Sequence, residues 1–347
     1  MAIRRSSKIL VAAGLLLIVA AAVLRFVIVP SVAKLPDNLD VTNRFEGTGT
    51  LLNPAALQAG DIANVIATGV PVSIDRHTYV SSTDGDTAIT HDDLTVNAPD
   101  GVSLPTNHTY AVDRTTMESA PAPAGIEVEP HTGITIGLPI DPDPETSYGL
   151  YDFATRTTVP MNYIGSDTIS GRDVLRYTID ATGPLADPAV LGALPPALPK
   201  AQLAQLAPAL PAEVLAELTP EILAALPDPV PFTYTAITKF ELVLDKKLGT
   251  PIDGSIDQQV IANVAANGQT ISLVPALALA TTLTADSIAA AADTAASTSR
   301  LLTIASLIVP IALVVLGIGL IALGFVRRRP KTATQTSAPG EELVTTP

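Results

Sequence analysis

LLTIASLIVPIALVVLGIGLIALGFV, residues 301–326, runs for 26 residues without a charged side chain, and Arg327, Arg328 and Arg329 follow at once. A helix rising about 1.5 Å per residue needs about 20 apolar residues to cross a bilayer core. The run therefore predicts a transmembrane helix. Lys and Arg are in excess on the cytoplasmic side of such spans, which places 327–347 in the cytoplasm, where its polar composition predicts disorder. Pro310 is expected to bend the span, and Gly317 and Gly319 to let another helix approach closely.

A second apolar stretch lies at the other end. Ile9 to Val29 follows Arg4, Arg5 and Lys8 and is interrupted by Arg25 near its far end. One reading is a cleaved signal peptide, with small residues at Ser31-Val32-Ala33 and a mature start at Lys34. The stretch is long for that, and Arg25-Phe26-Val27-Ile28-Val29 is bulky where a cleavage region is short and polar. The reading adopted is an uncleaved anchor with Arg25 reaching the outer headgroups. Residues 1–8 are then cytoplasmic, 9–29 and 301–326 span the inner membrane, and 30–300 are exported.

The exported region carries 12 Lys+Arg against 32 Asp+Glu. Phosphate recognition depends on Lys and Arg, so such an acidic surface excludes nucleic acid as a partner. The chain has no cysteine. This removes disulfides and thiol chemistry, and it points to a bacterial exported domain rather than a eukaryotic one.

From Val41 onward, short alternating or β-branched runs are broken by Gly, Pro, Asn and Asp. Strands are expected at Val41–Leu52, Ile62–Thr68, Val72–Ser81, Thr87–Val96, Thr109–Glu118, Ile126–Leu138 and Tyr148–Val159. Met161–Ile169 and Val174–Asp180, joined by Ser170-Gly171, read as a hairpin, and Phe232–Leu244, Ile252–Val264 and Gln269–Leu273 follow. The fold class is thus a mainly β, antiparallel exported domain flanked by two transmembrane α-helices. Only Phe45, Phe153, Phe232 and Phe240 are available to it as phenylalanines, so Val, Ile and Leu must build the core. Tyr148, Tyr151 and Phe153, with Tyr163 and Tyr177 nearby, form a candidate aromatic patch. The alternative is edge packing with the tyrosine hydroxyls at the surface.

Between about 184 and 230 the composition shifts to Pro, Ala and Leu. Prolines such as Pro184, Pro196, Pro208 and Pro220 exclude a long helix. Short ones fit: Thr219 caps a helix with Pro220 first and Glu221 next, Pro211 starts another, and Leu203, Leu206 and Leu210 continue an apolar stripe. Leu203, Leu206, Leu210, Leu215, Leu218, Ile222 and Leu226 are the candidate lipid- or partner-binding residues of this helical insert. Its polar face is acidic, which argues against attachment to an anionic leaflet. It is a cap on the β core, a lid over an apolar cavity, or a docking surface. Asp286 to Ser299 is expected to continue the second span outward as a helical stalk.

No catalytic or cofactor motif is present. His77, His91, His108 and His131 lack the H-E-x-x-H spacing, and Gly47-Thr48-Gly49 lacks the third glycine of a dinucleotide fingerprint. Asp84-Gly85-Asp86 with His91, Asp92 and Asp93, and the cluster Asp141, Asp143 and Glu145, depart from the calcium-loop pattern. Both read as solvated turns, so neither metal nor cofactor is expected.

With that layout, the chain resembles a family of actinobacterial envelope proteins with two spans around an exported domain, labelled the PorA family. The resemblance rests on Leu24-Arg25-Phe26, Lys34-Leu35-Pro36, Gly47-Thr48-Gly49-Thr50, Gly133-Ile134 to Pro139, Tyr148–Asp152, Tyr163-Ile164-Gly165 and Gly249-Thr250-Pro251, in that order. The Pro/Ala/Leu insert is similar to that of the mycolate-producing branch. Some relatives carry cysteines in the middle region, and this chain has none. The resemblance implies a role in envelope assembly, mycolic-acid glycolipid traffic or lipoglycan maturation, beside a membrane transporter or glycosyltransferase, and it supplies no catalytic residues. Porin activity fits poorly, since the strands lack an outward apolar band with aromatic girdles. The functional expectation is a non-enzymatic accessory that binds an envelope lipid or glycolipid. A scaffold without lipid, and a glycan-acting enzyme with paired carboxylates, are the alternatives.

Overall fold

The computed structural model describes residues 5–61, 64–206 and 210–327. The described chain forms two compact units, one from the segments up to Ser31 and from Leu301, the other from Val32–Arg300. Of the sequence expectations, the tail beyond Arg327, Ile62 and Pro208 lie outside the described residues.

The larger unit is built on strands β1 (Asp40–Leu52), β2 (Ile66–Asp84), β3 (Thr87–Asn97), β4 (Ser103–Asp113), β5 (Gly149–Asp152), β6 (Thr157–Pro160), β7 (Asn162–Ile169), β8 (Arg172–Pro184), β9 (Ala197–Leu198), β10 (Val230–Pro231), β11 (Thr233–Asp245), β12 (Pro251–Ala266) and β13 (Gln269–Leu283). Nine of them form one antiparallel sheet in the order β4-β3-β2-β1-β13-β12-β11-β8-β7. β1 to β4 pair in succession, as do β11 to β13, and β7 with β8; the first two sets are joined where β1 pairs with β13, Phe45 opposite Leu283. Side chains alternate across a strand, so one face of each is buried. On β3 that face reads Ala88, Thr90, Asp92 and Leu94. The hairpin at Ser170-Gly171 forms as its sequence requires, with φ of 47° and 74° at the two turn residues.

Since β4 and β7 are opposite edges, the chain between them must cross a face of the sheet. It does so through residues 114–161, and its Ile134, Leu138, Leu150, Ala154 and Met161 meet Phe45, Ile74, Leu175, Tyr177, Phe240 and Ile256 of the sheet in one core cluster. The crossing chain therefore supplies the second layer of the core. Here the structure corrects the sequence reading. Ile126–Leu138 is not a strand, because Pro130 within it lacks a ladder donor; it makes one isolated parallel bridge, Ile134 to Leu150. Ile66–Asp84 is a single strand running past Gly69 and Pro71, where two were expected, and β13 continues ten residues beyond Leu273.

The helices α3 (Pro54–Ala59), α4 (Pro188–Ala193), α5 (Lys200–Leu206), α6 (Ala212–Glu217) and α7 (Pro220–Ala225) are short. α7 starts as read, with Thr219 accepting from the Ile222 N–H at 3.4 Å. The Asp187-Pro188 start of α4 has the same form, with Asp187 Oδ1 accepting from the Val190 N–H at 2.8 Å.

In the smaller unit, α1 (Arg5–Val23) leads through a π turn, Leu24–Ile28, into α2 (Val29–Val32), and a π turn, Ile304–Ile308, leads into α9 (Val309–Val326); α8 (Ala285–Thr303), which precedes that turn, belongs to the larger unit up to Arg300. Two helices are thus long and apolar enough to cross a membrane. α8 contains the helix expected over Asp286–Ser299. Each π turn stands two residues before a proline, Pro30 or Pro310, whose missing N–H is accommodated by a local π adjustment. α1 and α9 pack at glycine: a Cβ on Gly14 would lie 2.5 Å from the Gly317 oxygen, while one on Gly319 would meet nothing. A Cβ built on Gly324 lies 3.5 Å from that of Leu10, which is within disulfide range. Because the chain is cysteine-free, a Leu10→Cys, Gly324→Cys pair is expected to crosslink within one chain under mild oxidation in membranes, and adding Gly317→Leu should abolish it. Non-reducing gel mobility reads both; absence of the first crosslink contradicts the packing.

Candidate functional site

The insert covers one end of the β12–β13 hairpin. Leu203, Leu210, Leu218 and Leu226 are buried in a cluster with Val230, Val264, Ala266, Ile271 and Leu273, and Ile222 packs against it partly buried. Leu206 belongs to a neighbouring cluster with Ala56, Leu57, Val65 and Leu198, whereas Leu215 is exposed. Most of the candidate leucines are thus structural; none lines the neighbouring opening, and Leu206 is the candidate that shares a cluster with residues that do, Leu57 and Leu198. That opening is a groove of about 420 Å³, open to solvent, between α3, the end of α4 and the β9–α5 segment. Leu57, Leu194, Pro195, Leu198 and Pro199 form its apolar walls, Ala193 its rim, and Gln202 is its one polar side chain. Ligand sites range over about 300–1,000 Å³, apolar with few polar groups, and the groove falls within that range.

The three aromatic candidates do not share a wall. Tyr148 stands with Tyr177, ring centroids 6.5 Å apart, and Tyr163 is 5.5 Å from Tyr177 on the other side. Tyr163 keeps its hydroxyl outside, on Ser166; Tyr177 is fully buried, and its p Ka is pushed up to about 12, first by burial. Tyr151 and Phe153 face a different neighbourhood, a buried polar clasp.

The clasp begins on β4, where alternation turns Thr106, His108 and Tyr110 inward. The crossing chain docks on the outer edge of β4, with the Glu129 N–H donating to the Thr109 oxygen at 2.7 Å, and this sets the Glu129 carboxylate against His108. His108 Nδ1 is 2.9 Å from Glu129 Oε2, Tyr151 Oη donates to Oε1 at 2.7 Å, and Arg156 Nη2 donates to Oε2 at 3.2 Å. On the other side, His108 Nε2 is 3.6 Å from Asp187 Oδ2. The His108, Glu129 and Asp187 side chains are only 2%, 8% and 1% exposed. Burial would push the Glu129 carboxyl up, but the hydrogen bonds from His108 and Tyr151 and the charges of His108 and Arg156 outweigh it and hold it below the ordinary value. Burial raises Tyr151, helped by its bond to Glu129, and lowers His131. Beside the clasp, Arg76 binds Asp92 through two 2.7 Å hydrogen bonds and borders a cavity of about 50 Å³. That volume suits water, which needs about 10–15 Å³ of probe-occupied space per molecule, and is far too small for a lipid.

Sequence reading missed the clasp. The available signal was a histidine among inward positions of a strand; nothing local announces Glu129 or Asp187 as its partners. The turns read as solvated are exposed, with Asp86 paired to Lys34 at 2.7 Å and Asp143 Oδ1 accepting from the Glu145 N–H at 3.0 Å at the surface, whereas Asp92 is buried on Arg76. Among the described residues no three His, Asp or Glu side chains are arranged to hold a metal ion.

No curated protein matches the chain. Solved structures similar to it include a MaoC-like dehydratase, 13% identical over 76% of this chain and 80% of that one with a TM-score of 0.14. The dehydratase domain from the CurK module of curacin polyketide synthase is 12% identical over 71% and 77%, with a TM-score of 0.10. Likeness at that level carries no argument. A family model described as Porin PorA matches residues 6–326.

Proposed function

Since this chain belongs to the PorA family, we propose that it is a membrane-anchored accessory of envelope assembly whose exported domain takes up an acyl chain of an envelope lipid or glycolipid in the groove beside the insert. The observation that carries the reading is the groove, apolar on its walls and without a charged side chain among its lining residues. An apolar, uncharged wall favours an apolar occupant, at about 0.8 kcal/mol per buried methylene. The acidic surface favours a neutral sugar headgroup over an anionic one. In this proposal both termini are cytoplasmic, residues 30–300 face outward from the inner membrane, the partners are a transporter or glycosyltransferase, and the chain performs no covalent chemistry. The word porin in the family description is not carried over: the nine-stranded sheet is open, with β4 and β7 as edges, whereas a membrane-spanning barrel must be closed.

The full chain, purified from its host in mild detergent, is expected to retain an acyl lipid detectable by native mass spectrometry. Ala193 is exposed on the groove's rim, so Ala193→Asp should reduce retained lipid at least tenfold without lowering the melting temperature. A lipid-free wild type, or a variant that keeps its lipid, removes the groove from the account and leaves the scaffold reading in front. Protease shaving of spheroplasts tests the topology: cleavage is expected between 30 and 300 only, and a mature chain starting at Lys34 would identify the first stretch as a cleaved signal.

A further inference from the structure

Three chain segments that are distant in sequence meet at His108: β4 carries the imidazole, the crossing chain brings Glu129, and the root of the insert brings Asp187. The Asp187 backbone is fixed by the Ala154 oxygen, which accepts its N–H at 3.3 Å. Its side chain divides its work, Oδ1 capping α4 through the Val190 N–H and Oδ2 facing His108 Nε2. At 3.6 Å that contact is too long for a hydrogen bond and acts through charge. It is favourable only with a proton on Nε2 as well as on Nδ1, where Glu129 takes the other. A neutral imidazole serving Glu129 would turn a lone pair toward a buried carboxylate. α4 is six residues long, too short to persist alone, so its cap and its packing decide whether it forms. Ala193, its last residue, and Leu194 and Pro195 beyond it line the groove.

We infer that protonated His108 is a positioning residue that latches α4, so that the groove wall is held while the imidazole is charged and released when it loses its proton. The groups facing His108 are Glu129 from the crossing chain, Asp187 from the insert, Tyr110 on its own strand with centroids 6.0 Å apart, and Phe153 at 5.0 Å. Arg156 and Tyr151 act on it through Glu129. The latch would make groove geometry respond to the protonation of one buried imidazole. The latch rests on the clasp; its consequence for an occupant rests on the lipid reading proposed above.

The test is amide hydrogen exchange of the full chain in nanodiscs at pH 5.5 and 8.5, corrected for intrinsic rates, with retained lipid measured in the same samples. The Val190 and Leu191 amides are expected to lose at least tenfold protection at the higher pH while β11 and β12 keep theirs, and His108→Gln, with no proton to gain, should show equal α4 protection at both. Equal protection in the wild type, or a pH response that survives in His108→Gln, overturns the latch. Should that variant melt out, nitrogen NMR of the wild-type imidazole decides: both nitrogens protonated at pH 5.5 and one at 8.5 supports the latch, and one throughout overturns it. A wild type whose α4 responds to pH but which never carries lipid sinks the lipid reading and not the latch.

Discussion

Glu129→Ala is expected to lower the melting temperature of the larger unit, Val32–Arg300, by about 10 °C. Removing one partner of a buried ion pair costs about 3–5 kcal/mol, and about 2–4 °C accompanies each kcal/mol in domains of 150–250 residues. The cost is high here because three groups lose this acceptor at once: His108 is left buried without it, the Tyr151 hydroxyl keeps only the Pro130 oxygen at 3.5 Å, and the Arg156 guanidinium turns to solvent. It also removes the crossing chain's side-chain tie to His108 on β4, leaving its backbone bonds to Thr109 and Ala111. Glu129→Gln keeps the shape and one acceptor, so it should lose less. The two also differ in acid. Because the folded Glu129 carboxyl sits below its ordinary value, its contribution is fully present above the unfolded-state carboxylate pKa, about 4.3, and is lost as pH falls through the folded value. Wild-type melting temperature should therefore fall on acidification below about pH 4.5, and the Glu129→Gln profile should be flatter over that limb. Thermal scans from pH 3 to 7 check both; identical acid limbs would show that Glu129 is not ionised within the clasp.

Gly249→Ala is the second large effect. Gly249 has φ of 68°, and a Cβ there would collide with the backbone oxygens of Leu138 and Pro139, the latter at 2.5 Å. Its own carbonyl accepts the Leu138 N–H at 2.9 Å. Strain and overpacking together are expected to cost about 3 kcal/mol or more. Gly85 supplies the control, because its φ of 58° is similar but nothing lies within 4 Å of an added Cβ, and Gly85→Ala should cost only about 1 kcal/mol of backbone strain. Urea unfolding midpoints separate the two. Equal costs would mean that the crossing chain is not seated against Gly249.

That comparison explains motifs the sequence displayed without a reason. Gly47 and Gly49 lie where β1 runs against the Ala280 and Ala278 oxygens of β13, and Gly133, at φ 72°, lies against the Gly149 oxygen. They mark backbone meeting backbone, which no periodicity reveals. What periodicity does reveal came through: two apolar spans, strands with one buried face, the Ser170-Gly171 turn, and capped short helices in the insert. The crossing chain stayed hidden because its role is set by the edge positions of β4 and β7, a property of topology. The seven insert residues read as one stripe because helical spacing shows that a face is apolar and not what covers it; here β12 and β13 cover most of it. The groove lay one step away in sequence, at Ala193–Pro199, and its third wall comes from Leu57, far off in the chain. Asp187-Pro188 carries the same start signal as Thr219-Pro220, yet only the fold shows that its carboxylate serves a helix and a histidine together.

The central claim is that the groove between the insert and α3 holds an acyl chain, and the most direct measurement is photocrosslinking of the full chain in liposomes containing a lipid with a diazirine on its acyl chain, followed by peptide mapping. The two helices long and apolar enough to cross a membrane, Ser6–Val32 and Ala285–Val326, are expected to be labelled in any case and serve as the internal control. The account predicts additional adducts on the peptides carrying Leu57 and Ala193–Pro199, diminished in Ala193→Asp. Labelling confined to the two spans would contradict it.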